Sequence, residues 1–188
     1  MVVSAPMRRI LLGIVVASLA ACGGVSADAP LRVKLGTPRD QTLAELRSQK
    51  FCFEEDGPAQ RVETYPRCER AGSEWGEGWV TATYDQGKLV ELRRYERFTD
   101  DARAVERWNQ LVADRMKASP GATDAADALR RRGPLEPGTR SVKSFQLDPT
   151  TVVAIYLLTP SPPENASILE AVLAVSPSDK SGIEVITD

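Results

Sequence analysis

Histidine is absent from all 188 residues. That absence removes Ser-His-Asp and Cys-His nucleophilic sites, histidine-ligated zinc and histidine pH switches together. Catalysis would have to rest on carboxylates, lysine, tyrosine or a Ser-Lys pair, so the expectation is not an enzyme, with no cofactor and no metal site. Cysteine is scarce: Cys22, Cys52 and Cys68 are the only three, with no Cys-x-x-Cys spacing, which disfavours a redox dithiol. Long apolar runs are missing too. The only segment apolar enough to enter a bilayer is Ile10 to Ala21, twelve residues where a span needs about 20. Excess positive charge is also lacking, since the net charge is −2. A mildly acidic body offers no basic face for nucleic acid. Arg130-Arg131-Arg132 is a local exception, best read as a solvated helix end favoured by the helix dipole.

What the chain does have is a marked N-terminus. Met7 is a plausible start, followed by basic Arg8 and Arg9, an apolar run over Ile10 to Leu19 and small residues before Cys22. This is the layout of a secretory signal. Its ending, Leu19-Ala20-Ala21-Cys22, resembles the lipobox of bacterial lipoproteins. That resemblance implies diacylglyceryl transfer to the Cys22 thiol, cleavage before it and further acylation. Two or three acyl chains anchor stably where one is marginal. A plain cleaved signal with an incidental cysteine is the alternative. Gly23 after the lipidated cysteine resembles an outer-membrane sorting signal, in a source that has that pathway. Residues 1–21 are therefore read as signal peptide and 22–30 as a flexible tether. Cleavage removes two arginines and no acid, leaving 22 basic against 26 acidic residues.

The remaining chain is read as one α+β domain over residues 31–176 and a C-terminal tail over 177–188. Leu31, Val33 and Leu35 alternate with Arg32 and Lys34, which predicts a short strand with one buried face. Thr37-Pro38-Arg39-Asp40 predicts a helix capped by Thr37, with Leu43 and Leu46 on its apolar side. Phe51-Cys52-Phe53 reads as a strand, and Cys68 returns with fifteen residues between it and Cys52. Export to an oxidising compartment, with Cys22 lipidated, leaves Cys52 and Cys68 as the two thiols available for a structural disulfide. Val80, Ala82 and Tyr84, the turn Asp85-Gln86-Gly87-Lys88 and a return strand over Leu89 to Phe98 predict a hairpin. Tyr95 falls out of phase, suggesting a bulge near Arg93-Arg94, with Arg93, Arg94 and Arg97 facing solvent.

Thr99-Asp100-Asp101 caps a second helix with Ala102, Val105, Trp108, Leu111, Val112 and Met116 as its stripe. A short polar helix over Asp124 to Arg132 ends at Gly133-Pro134. Val142 to Leu147 and Thr151 to Thr159 flank a turn, and the apolar run Val152 to Leu158 predicts a central strand. Ile168 to Val175 is a further strand. Helix followed by three strands thus occurs twice. The expected fold is an antiparallel sheet of about six or seven strands with two main helices on one face.

The segment Leu35-Gly36-Thr37-Pro38 with Leu43 and Leu46, followed by Asp85-Gln86-Gly87-Lys88-Leu89, resembles the small envelope lipoproteins of the SmpA/OmlA type. It is also similar to the wider β-lactamase-inhibitor-protein-like fold, in which such units occur in tandem. The Gly-Met-(Ser/Thr) opening of the SmpA helix is replaced by Gly36-Thr37-Pro38, and no functional residue carries over. The functional expectation is a membrane-anchored, non-enzymatic binding or assembly module with an envelope protein or cell-wall partner and no nucleic acid. The alternative is a carboxylate-based glycan enzyme using Glu55, Glu74 or Glu77, beside Trp75 and Trp79.

Overall fold

Seven strands, each antiparallel to its neighbours, form one sheet in a computed structural model that describes residues 28–53, 60–68, 77–159 and 166–176. They are β1 (Val62–Pro66), β2 (Glu77–Asp85), β3 (Lys88–Arg97), β4 (Thr123–Asp124), β5 (Thr139–Asp148), β6 (Thr151–Leu158) and β7 (Ser167–Ala174). The order across the sheet is β1-β2-β3-β7-β6-β5-β4. Helices α1 (Arg39–Ser48), α2 (Asp101–Ala118) and α3 (Ala126–Arg132) complete the α+β fold. The two helix-plus-three-strand units meet at β3 and β7, the last strand of each, with Arg94 opposite Glu170.

Strand alternation distributes two cores. Val80, Leu92, Val153, Ile155 and Val172 point to the face carrying Leu46 of α1 and Leu111 of α2. Ala154, Tyr156, Leu169 and Leu173 point the other way and pack with Leu129 of α3. Covered on both faces, β6 is buried from Thr151 to Leu157, as its continuous apolar run predicts. The two main helices share one face as expected, and the short third helix takes the opposite one.

Several local expectations need correction. The third strand of the first unit is β1, not Phe51–Phe53, whose pairing is one bridge between Phe51 and Arg67. The alternation in β1 was hidden because one of its inward residues is an acid, Glu63. Thr37 does not cap α1: its hydroxyl donates to the Lys34 carbonyl, and extended Pro38 is the N-cap. The hairpin bulge lies at Val90 of β3, the residue skipped where Thr83 and Tyr84 of β2 pair with Glu91 and Leu89, rather than near Arg93-Arg94. Tyr95 is in phase on the outer face, so Leu92, Arg94 and Glu96 all point inward. Arg94 is therefore 1% exposed instead of solvated. The connection itself is a two-residue turn with positive φ at Gln86 and Gly87, the geometry that suits strand twist.

On α2, Asp100 caps as expected, accepting from the Ala102 amide at 2.8 Å. The buried stripe is Ala104, Arg107, Leu111 and Arg115, whereas Ala102 is exposed and Met116 is 57% exposed. The stripe is rotated because two arginines face inward. Leu31 and Val33 are buried as the alternation predicts, but they belong to an extended strap without ladder pairing.

Candidate functional site

The strap from Asp28 to Leu35 lies on the helix-bearing face, and buried charged side chains hold its backbone. Arg107 donates to the Asp28 carbonyl at 2.8 Å, Arg94 to the Ala29 carbonyl at 2.6 Å and Arg115 to the Leu31 carbonyl at 2.7 Å. Glu170 accepts from the Leu31 amide at 3.2 Å. Main-chain groups are what this clamp grips, so an extended backbone matters more than side-chain identity. The described part of the expected tether, Asp28 to Pro30, is thus held against the sheet by these bonds.

These side chains also pair with one another. Arg107 grips Glu96 with two hydrogen bonds, of 2.7 and 2.8 Å. Arg94 lies 2.8 Å from Glu170 and 3.3 Å from Glu96, and Arg115 donates to Glu170. Arg67 reaches the Asp28 carboxylate at 3.0 Å. Gly78 makes room for it, since a Cβ there would lie 2.8 Å from the Arg67 Nε. Removing such charges from water costs several kcal/mol per ion unless partners and hydrogen bonds offset it. The strap carbonyls supply part of that offset, which makes the strap and the ion cluster one cooperative unit.

Burial pushes the Glu170 carboxyl up, but Arg94, Arg115 and the Leu31 amide together hold it below the ordinary glutamate value. Glu96 is likewise lowered, with Arg94 and Arg107 outweighing burial. Glu63 is lowered by hydrogen bonds from Tyr65, Arg39 and the Gln60 amide, again against burial. A depressed folded-state pKa contributes stability that is fully present above the unfolded value, about 4.3 for glutamate. It is lost as pH falls through the folded value. With no histidine to titrate between about pH 5 and 8, stability is expected to hold level across that range and to drop only under acid. Urea unfolding at a series of pH values checks this, and a fall already between pH 8 and 6 would contradict it.

A second polar cluster pins α1 to the first unit. Arg39 Nε donates to Glu63 at 2.7 Å, the Tyr65 hydroxyl donates to the other Glu63 oxygen, and the Tyr65 and Tyr84 hydroxyls are 2.9 Å apart. Burial and the Glu63 carboxylate push the Tyr65 hydroxyl well above its usual value. It is no nucleophile at neutral pH, so this cluster fastens elements together.

On the outer sheet face, Trp79 stacks on Tyr95 with ring centroids 5.3 Å apart, and the Arg97 guanidinium lies 5.1 Å from the Trp79 centroid. No described helix packs over β2 on this side, and Trp79, Thr81 and Thr83 are all partly exposed. Both neighbours already engage the Trp79 ring, which weakens the idea of a sugar platform. Arg93 is half-buried, paired with Glu91 and, at 2.9 Å, with Glu136.

The sulfurs of Cys52 and Cys68 lie at disulfide distance, with their Cα atoms 4.9 Å apart. Cys22, Glu55, Glu74 and Trp75 lie outside the described residues, as does the tail; Glu77 is exposed at the start of β2, opposite Arg97. Arg130, Arg131 and Arg132 are exposed at the end of α3, Arg132 bonding Glu91 at 2.6 Å. Among the described residues no helix is long and apolar enough to cross a membrane, and no acid or cysteine cluster could hold a metal.

The buried cluster escaped the sequence reading because its members look like surface charges. One signal was there: Glu170 is the single acid inside the apolar run Ile168 to Leu173. Comparison of the chain with protein-family models, curated proteins and solved structures returns no match.

Proposed function

We propose that this chain is a membrane-anchored envelope lipoprotein acting as a non-enzymatic binding or assembly module. The clamped strap supports this reading most directly. Asp28 lies six positions after Cys22, so an anchor at Cys22 would hold the domain within about 20 Å of the lipid even with the chain fully extended. A body attached so closely has a fixed end toward the bilayer and presents its remaining surface to a neighbour. The outer face around Trp79, Tyr95 and Arg97 is the candidate contact, aromatic and arginine residues being favoured in interface cores. An envelope protein or cell-wall component is the partner this implies, on the periplasmic side of the outer membrane.

Two measurements test the reading separately. Metabolic labelling with a palmitate analogue should mark the wild-type chain, and Cys22→Ala should lose the label and leave the membrane fraction. Photo-crosslinking from position 81 should then recover an envelope partner above the Cys22→Ala control. An unlabelled wild-type chain would end the lipoprotein reading, and an empty crosslink from a correctly anchored chain would end the binding reading.

A further inference from the structure

A cleft of about 970 Å3 opens on the helix-bearing face, between the strap, the end of α2 and the β5–β6 turn. Its size falls within the range of about 300–1,000 Å3 over which proteins enclose small ligands. Val33, Leu35, Leu147, Val172 and Val175 give it apolar walls, and Leu147 stands 39% exposed there. The charges around it are unbalanced. Arg32 and Lys34 are exposed at the rim. Asp148 is the one acid among the described lining residues, and it already accepts from the Thr150 amide and hydroxyl, at 2.8 and 2.9 Å.

Arg115 carries the imbalance into the interior. It forms part of the cleft wall and is 4% exposed. Its Nη2 serves both the Leu31 carbonyl and the Glu170 carboxylate, whereas its Nε has no hydrogen-bond partner among the described residues. The ion pairs that continue inward join four guanidinium groups, Arg67, Arg94, Arg107 and Arg115, to three carboxylates, Asp28, Glu96 and Glu170. Four against three leaves one positive charge over among the described residues, and a buried charge without a counter-ion is costly. We propose that this cleft binds a long-chain carboxylate of the fatty-acid class, its head against Arg115, Arg32 and Lys34 and its alkyl chain along the apolar walls. A carboxylate supplies the single charge that is missing and an acceptor matched to a guanidinium edge. A phosphate monoester would bring about −1.5 to −2 charges and overshoot it. The cleft and the Trp79 surface lie on opposite faces of the sheet, so this site stands apart from the one proposed for an envelope partner.

The experiment titrates the full chain with decanoate below its micelle concentration and reads the methyl NMR signals of Val33, Leu35, Leu147 and Val175. Decyl phosphate and decyltrimethylammonium, which share the ten-carbon chain, are the comparison probes. Decanoate should shift these methyls saturably while those of Val80 and Leu92, away from the cleft, stay in place. Arg32→Glu/Lys34→Glu changes only exposed side chains, so its core methyl spectrum should match the wild type. It should bind decanoate weaker by about tenfold or more, the loss expected when two nearby attractions become repulsions. Leu147→Asp should weaken binding as well, by placing a like charge against the ligand. Absence of a saturable shift at the cleft methyls would overturn the proposal. So would equal or tighter binding of decyltrimethylammonium, which would leave an apolar pocket with no anion site, or tighter binding of decyl phosphate. Unchanged decanoate affinity in Arg32→Glu/Lys34→Glu would overturn it too.

Discussion

Glu170→Ala is expected to cost about 3–5 kcal/mol of folding stability, the range for removing one partner of a buried ion pair. The reason is the company it leaves behind. Glu170 is 0% exposed and carries Arg94, Arg115 and the Leu31 amide. Without it, two buried guanidinium groups lose their closest carboxylate, and the strap loses one of its four main-chain bonds. Domains of this kind hold only about 5–15 kcal/mol in total, so a large share of the free-energy difference between folded and unfolded chain would disappear. Denaturant unfolding measures the loss directly, with Glu170→Gln as a comparison that keeps the shape and one acceptor. Hydrogen exchange at residues 28–31 should accelerate in both variants beyond what global unfolding accounts for, because the strap is the first element released. A loss below about 1 kcal/mol, the scale of an exposed ion pair, would show that the cluster is solvated and that the clamp is not a structural unit.

The second large effect concerns the pair Cys52 and Cys68. Sixteen positions separate them, and closing a loop of that length removes about 3 kcal/mol of unfolded-chain entropy. The bond ties the end of the segment after α1 to the end of β1, next to backbone bonds from Cys52 to Pro66 and from Cys68 to Lys50, both 2.8 Å. Arg67 is the residue between Pro66 and Cys68, so the disulfide also steadies a member of the ion cluster. Cys52→Ser/Cys68→Ser is therefore expected to melt roughly 6–12 °C lower, given about 2–4 °C per kcal/mol for a chain of this size. Reduction of the wild-type protein should reproduce the shift. Identical melting of oxidised and reduced protein would mean that the backbone bonds alone define this corner.

Elements whose signals are local were readable in advance. The β2–β3 hairpin follows from alternation around a turn that tolerates positive φ, and β6 from an apolar run too continuous for an edge. The Asp100 cap of α2 is a side chain bonding an amide two residues on. Each depends on neighbours in the chain. The readings that failed share a cause as well. Assigning Arg94 to solvent, rotating the α2 stripe toward Met116 and passing over β1 all came from treating charge as a marker of exposure. That rule holds for isolated charges, because an unpaired buried ion is costly. It fails when carboxylates and guanidinium groups distant in the chain arrive at the same place.

The amino-acid order by itself determined the lengths and kinds of most elements, their inward and outward phases and the twofold occurrence of helix and strands. It also placed Cys22 behind a basic pair and an apolar run and left Cys52 and Cys68 as a pair. Only the tertiary structure decided that β3 and β7 form the seam, because strand partners are chosen by packing across the sheet and not by adjacent residues. That pairing sets Arg94 beside Glu170, brings Arg107 and Arg115 over them from α2, and draws the strap into the space between. The clamp is thus a product of four separate stretches of chain, none of which carries its signature alone.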